Sequence, residues 1–243
     1  MIEVVRPDWE APGSVRAIST TRVGGGSNAP FGSLNLAEHV GDDPETVRLN
    51  RGKLADGFGL PSEPVWLNQI HSTQVKRVNL APVTESADAS WTDKPGVVCA
   101  VMTADCLPLL LCDHTGVRVA AAHAGWRGLL NGIIESTLEA LAVPGSQLLA
   151  WMGPAIGPDA FEVGDEVRQA FVAVDPGAAT AFQAKGDGKW LADLYALTSR
   201  RLRAQGVDRI SGGEYCTYTD SDRFFSYRRD GVTGRMASLI WID

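Results

Sequence analysis

Residues 107–124 read LPLLLCDHTGVRVAAAHA. Two apolar runs, 107–113 and 117–123, flank a turn-forming His-Thr-Gly, a pattern that predicts an antiparallel hairpin. If Asp113–Gly116 form the turn, residue 112 faces 117 and Cys106 lies directly opposite His123. Directly opposed side chains have Cβ atoms about 4.5–5.5 Å apart on one face of a sheet. That separation suits two ligands of one metal ion or a thiolate–imidazole pair, and a slip of one residue would separate them. A histidine ending an apolar strand also has a plain structural explanation, as a hydrogen-bonded residue, and Cys106 could be a small buried thiol.

Outward from the hairpin, 96–104 (GVVCAVMTA) reads as a preceding strand. Leu129, Leu130, Ile133, Ile134, Leu138 and Leu141 recur at helical spacing and predict a helix over 125–142, closed by Pro144-Gly145. Residues 41–60 predict a helix with Asp43 as N-cap, Pro44 at its first position and Gly57 or Gly59 at its end. Residues 64–79 end in strand-like alternation, 148–152 forms a short strand, 165–173 and 191–205 are helical, and 236–243 is a final strand. Strands and helices mix without strict βαβ alternation, which gives an α+β fold, with mixed sheets packed by helices, in one domain over 1–243.

The chain has 243 residues and a formal net charge of −7. That charge argues against a general nucleic-acid or anionic-membrane binder. The start has no basic region followed by a long apolar core, and the longest apolar stretches fall far short of a membrane span. Cysteines at 99, 106, 112 and 216 show no CxxC spacing and no dense framework, so reduced thiols and a cytoplasmic location are expected. Cys99 and Cys112 read as core thiols, and His39 and His114 as solvent-exposed residues.

His71, in NQIHST, is a third candidate beside Cys106 and His123. A His–Cys–His set with an open fourth position has the form of a catalytic zinc site. Asp105 is placed to hold a ligand imidazole as a hydrogen-bond acceptor. Arginines supply candidate anion sites: Arg127 in the first turn of a helix, Arg22 before a run of three glycines, and Arg228, Arg229 and Arg235 in SYRRDGVTGR.

NQIHS (68–72), TADCLPLLL (103–111) and AAHAGWRGLLNGI (121–133) resemble the signature segments of the bacterial laccase-domain family. That family is also called polyphenol oxidase, purine nucleoside phosphorylase or peptidoglycan editing factor. TTRVGGGS, LNLAEHVGDDPETVRLNR, ADA (87–89), GPAIGPDAFEVGDEV, CTYTD, FFSYRRD and GRMASLIW extend the resemblance from about residue 20 to the C-terminus. Ser72 departs from it, standing where the family usually has glycine. The resemblance implies that His71, Cys106 and His123 bind zinc, with copper as the alternative metal. It also implies an α+β fold shared distantly with the catalytic domain of cytotoxic necrotizing factor.

The activity it implies is phosphorolysis of adenosine, inosine, guanosine and methylthioadenosine, together with adenosine deamination. Nucleoside and phosphate are then the partners of a monomer or homodimer. Catalytic roles are expected for His71, Cys106, His123 and Asp105, and substrate contacts for Arg22, Arg127 and Arg229. Alternatives are an amidase that removes serine-containing UDP-muramyl precursors, a copper polyphenol oxidase, and a non-enzymatic zinc or redox-sensing protein. Four histidines cannot supply the imidazoles of a multicopper centre within one chain.

Overall fold

In the computed structural model, which describes residues 1–80 and 86–243, the hairpin lies at the centre of the largest sheet. The strands in chain order are β1 (Val4–Val5), β2 (Val15–Thr20), β3 (Val75–Arg77), β4 (Ala89–Thr92), β5 (Cys99–Thr103), β6 (Leu107–Asp113), β7 (Val119–Ala124), β8 (Leu148–Met152), β9 (Glu162–Gly164), β10 (Phe182–Gly186), β11 (Lys189–Ala192), β12 (Arg209–Gly212) and β13 (Met236–Ile242). The helices are α1 (Pro44–Phe58), α2 (Trp126–Asn131), α3 (Ile133–Leu141), α4 (Asp165–Val174), α5 (Leu194–Ala204) and α6 (Tyr227–Asp230). Six strands form a mixed sheet in the order β12-β8-β6-β7-β4-β3, four form β1-β2-β13-β5, and three form β10-β11-β9. The fold is α+β, as expected.

Both faces of the six-stranded sheet are covered, which accounts for the unbroken apolar character of β6. Leu107, Leu109 and Leu111 share a core with Ala120, Ala122 and Ala124 and with Ile133, Ile134 and Leu138 of α3. Leu110, Cys112 and Ala121 point the other way and pack with Val101 and Ile240 of the four-stranded sheet. Beyond that sheet, Leu54 of α1 packs with Ile18, Ala100 and Leu239. The alanines of β7 let the layers approach closely on both sides.

The helix over 44–58 forms as its caps dictate. The Asp43 carboxylate accepts from the Thr46 N–H at 2.9 Å, and Gly59 ends the helix in the left-handed region. The helix expected over 125–142 is instead two helices, because Gly132 adopts φ 104 and breaks the ladder between α2 and α3. The helix expected from 191 begins at Leu194: Asp193 caps it, and Leu191 and Ala192 belong to β11. The hairpin β10–β11, which turns through Asp187-Gly188, was not anticipated.

The register of the central hairpin also differs from expectation. Cys112 pairs with Val119 and Pro108 with His123, so the loop is two residues longer than a turn at Asp113–Gly116. The Asp113 carboxylate causes this: it accepts the N–H groups of Val117 at 2.8 Å and Arg118 at 2.7 Å, which closes the wider loop. Cys106 is therefore diagonal to His123 rather than opposite it. A shift of two leaves both on the face turned toward the four-stranded sheet, since side chains alternate with period two.

Candidate metal centre and its cavity

His71, Cys106 and His123 come together, with their ligand atoms all within 4.8 Å of one another. Cys106 precedes β6 and His123 stands near the end of β7, so the hairpin delivers two of the three. His71 arrives on the loop before β3. This loop is fixed at both ends. The Gln69 side-chain amide donates to the Met102 carbonyl at 2.9 Å and accepts the Met102 N–H at 2.7 Å, which ties the loop to β5.

The other tie is Asp88, a fully buried carboxylate just ahead of β4. Its oxygens accept the backbone N–H groups of Ile70 (3.2 Å), His71 (2.9 Å) and Ser72 (2.6 Å), and the Ser72 hydroxyl at 2.7 Å. His71 itself has φ 60, an uncommon conformation for a side chain of this kind. Three amides converging on one carboxylate supply the restraint that holds it there.

Asp88 also orients the second imidazole. The β4–β7 register pairs Ala89 with Ala122, and the His123 N–H donates to the Asp88 carbonyl at 2.7 Å, so Asp88 lies across from His123. Its Oδ1 sits 2.8 Å from His123 Nδ1. A carboxylate can only accept, so Nδ1 carries the proton and Nε2 is left as the ligand atom. Asp88 thus does what was expected of Asp105. The Asp105 carboxylate is engaged elsewhere, accepting the Thr217 hydroxyl at 2.6 Å and the Arg228 N–H at 2.6 Å. ADA (87–89) marked the segment that carries Asp88, but nothing local in it points to an imidazole.

The electrostatics follow from these contacts. Burial works against charge on Asp88, yet the hydrogen bonds from His123 and Ser72 prevail and hold its carboxyl down at about 2. Burial likewise opposes charge on His123, but Cys106 and Asp88 beside it raise the imidazole to about 9 in the metal-free cluster. His71 is lowered by burial and by His123. Cys99 and Cys112 are core thiols, pushed up to about 12 by burial. Cys216, which accepts from the Gly157 N–H at 3.2 Å, is not part of the three-residue group.

Gly125 keeps the centre open. A Cβ there would lie 2.8 Å from His71 Nδ1 and 2.9 Å from Cys106 Sγ, inside van der Waals contact of both. Two imidazoles and a thiol suit a borderline ion with one position left free, and His71 is solvent-exposed while His123 is buried. The cluster forms part of the wall of a cavity of about 530 Å³, within the ~300–1,000 Å³ of small-molecule sites.

Arg127 of the expected anion set lines this cavity, as do Arg228 and Arg235. Arg22 and Arg229 line a separate depression with Ser221, Asp222 and Asp230. The structure does not bring those two to the cluster. His39, expected to be merely exposed, stands on the cavity wall. Among the described residues no helix is long and apolar enough to cross a membrane.

Residues 16–243 match the family model described as multi-copper polyphenol oxidoreductase laccase. The chain belongs to this laccase-domain family. A relative named purine nucleoside phosphorylase YfiH, from Escherichia coli, is 54% identical over 100% of both chains. A Pseudomonas aeruginosa protein named purine nucleoside phosphorylase PA4543 is 54% identical over 98% of this chain and 97% of its own. Among solved structures, Neisseria meningitidis protein NMB0706 superposes with a TM-score of 0.93 at 53% identity over 99% of each chain. YlmD from Geobacillus stearothermophilus gives 0.92 at 31% identity over 98% of this chain and 96% of that one. Within this laccase-domain chain only two of the four histidines enter the cluster, too few for several coppers.

Proposed function

We propose that this chain is a zinc-dependent purine nucleoside phosphorylase with His71, Cys106 and His123 as its metal ligands. The observation that carries the reading is the three-residue cluster on the wall of an open cavity. The full-length relatives named purine nucleoside phosphorylase supply the substrate class. In the reaction a phosphate oxygen forms a bond to the ribose C1′ while the C1′–N9 bond breaks. The purine leaves with a proton taken from the phosphate, so the products are the free base and ribose 1-phosphate, or 5-methylthioribose 1-phosphate from methylthioadenosine. Adenosine, inosine, guanosine and methylthioadenosine are the proposed substrates, and adenosine deamination is a second reaction of the same site.

Zinc bound here supplies a Lewis acid and lowers the pKa of a coordinated water. The protein's own part is to orient and to exclude. Asp88 holds His123 in the Nδ1–H form and fixes the His71 loop, so both imidazoles are preorganised. Met102, Ile156, Phe161 and Trp126 present apolar and aromatic surface to the cavity, which suits a flat base. Asp105, satisfied by Thr217 and the Arg228 N–H, shapes the wall.

The reading is tested by incubating the zinc-loaded protein with adenosine, with and without phosphate, and resolving adenine, ribose 1-phosphate and inosine. Phosphate-dependent adenine, lost in Cys106→Ala, is expected. Absence of nucleoside turnover together with cleavage of a UDP-linked muramyl-serine precursor would replace the phosphorylase with an editing amidase.

A further inference from the structure

Several arginines have a carboxylate partner: Arg77 has Asp93, Arg200 has Asp175, Arg201 has Glu135 and Arg229 has Asp230. Three arginines on the cavity differ. Among the described residues Arg127, Arg228 and Arg235 form no ion pair with a carboxylate. Asp105, the carboxylate on the cavity wall, takes the Arg228 backbone N–H and the Thr217 hydroxyl instead of a guanidinium.

Each of the three is held by neutral partners. Arg127 lies over Trp126 with its guanidinium carbon 4.5 Å from the ring centroid, Arg228 over Phe161 at 5.3 Å, and Arg235 over Tyr227 at 5.7 Å. Backbone carbonyls take one Nη1 each: Glu162 from Arg228 at 2.7 Å, and Thr233 and Gly234 from Arg235 at 2.9 and 3.0 Å. Ring faces and carbonyls fix the guanidinium planes without cancelling their charge. Among the described residues, Nε and Nη2 of Arg228 and Arg235 remain as donor edges, and Arg127 keeps all of its donors. Two regions about a hundred residues apart in the chain, the start of α2 and the stretch from α6 to the residue before β13, thus deliver positive charge to one cavity.

Asp105 faces Arg235 without a direct ion pair, and Arg127 and Arg228 are exposed, so three guanidinium charges gather around one carboxylate and leave donors for a further anion. Guanidinium forks match a tetrahedral oxyanion. We propose that Arg127, Arg228 and Arg235 form an oxyanion subsite that binds the inorganic phosphate co-substrate beside the metal cluster. The depression lined by Arg22 and Arg229 is not that subsite. There Arg229 pairs with Asp230 and donates to the carbonyls of Thr217, Tyr218 and Phe224, while Arg22 donates to those of Gly32 and Ser221. This assignment rests on the phosphorylase reading for the identity of the anion, while the subsite itself rests on the arginines.

Calorimetric titration of the zinc-loaded full chain with inorganic phosphate tests it, alongside steady-state KM values for phosphate and nucleoside. Arg127→Gln, Arg228→Gln and Arg235→Gln are each expected to weaken phosphate binding about 10- to 100-fold, the worth of a charged hydrogen bond. The nucleoside KM should move far less. Arg127 is exposed, so its variant reports on binding without the risk of misfolding that Arg235 carries. Phosphate Kd and KM staying within about twofold of wild type in folded, metal-loaded Arg127→Gln and Arg228→Gln overturn the subsite. So does a loss confined to 5′-AMP, which would assign the arginines to a substrate-borne phosphate. Arginine-dependent phosphate binding with no nucleoside cleavage sustains the subsite and removes the phosphorylase reading. Phosphate-dependent cleavage that is indifferent to all three substitutions does the reverse.

Discussion

Two buried aspartates, Asp113 and Asp88, each gather backbone amides around a carboxylate, and their difference explains how the site is assembled. Asp113 closes the β6–β7 loop by accepting from Val117 and Arg118, four and five residues ahead, and from the Thr115 hydroxyl. Its work is local: it sets the register that puts Cys106 and His123 on one face. Asp88 accepts from Ile70, His71 and Ser72, which lie 16 to 18 residues behind it, and from His123, 35 residues ahead. It joins a loop to a strand, so its loss is felt at the metal. Asp113 should matter to folding, Asp88 to the cluster.

The sharpest probe of where the two halves meet is Gly125→Ala. Its backbone, at φ −64, accepts alanine, but the new methyl would press on His71 and Cys106 together. Loss of bound zinc is expected with little change in the thermal unfolding of the metal-free protein. Full zinc occupancy in this variant would show that the ligands can separate without cost.

Next in size is Asp88→Asn. An outer partner of a ligating histidine is typically worth 10- to 100-fold in metal affinity, and the amide's NH₂ would oppose donors that now meet an oxygen. Competition with a chelator measures the affinity, and nitrogen chemical shifts of His123 report its tautomer. An unchanged tautomer and affinity would reduce Asp88 to a packing residue.

Asp113→Ala should cost about 1–2 kcal/mol of stability, since it strips two part-buried amides of their acceptor. Zinc content per folded molecule should stay at the wild-type level, and urea unfolding with metal analysis separates the two effects. Asp113 also sets a pH dependence. Burial opposes its charge, but Thr115 and the amides of Arg118 and Val117 hold its carboxyl below the ordinary 3.8. The unfolded chain therefore binds the proton more readily. The stabilisation is complete above that ordinary value and lost as pH falls through the depressed one. In Asp113→Ala the acid-side decline should be shallower.

Ser72→Gly is the mildest test. It removes one hydroxyl donor from Asp88 while three amides remain, so a loss near 1 kcal/mol or less is expected, together with a small rise in the Asp88 pKa. A large loss of zinc would show that the hydroxyl, and not the amides, fixes the His71 loop.

Legibility in the sequence tracked the same distinction. Helix α1 was readable from Asp43, Pro44 and Gly59 because caps act within a turn. The α2–α3 break was not, because Gly132 is tolerated inside a periodic apolar pattern until its φ is known. The hairpin was readable although its loop was misjudged by two residues, an error that period-two alternation forgives. Asp105 is the carboxylate the sequence points to, because it adjoins Cys106 in the chain. Asp88 reaches His123 across the β4–β7 ladder, a pairing without local signature. Arg22 and Arg229 had the right charge, but their donors are taken by carbonyls and a neighbouring carboxylate.

By itself the sequence determined the hairpin and the side on which Cys106 and His123 lie. Alternation, turn residues and caps act over a few residues and survive a modest error of register. The tertiary structure alone decided that Asp88 orients the imidazoles, that Gly125 leaves room at the cluster and that aromatic rings present Arg127, Arg228 and Arg235 to the cavity. The Asp88–His123, Gly125–His71 and Arg228–Phe161 contacts join segments tens of residues apart. Their partners are chosen by sheet pairing and layer packing, which no local periodicity encodes.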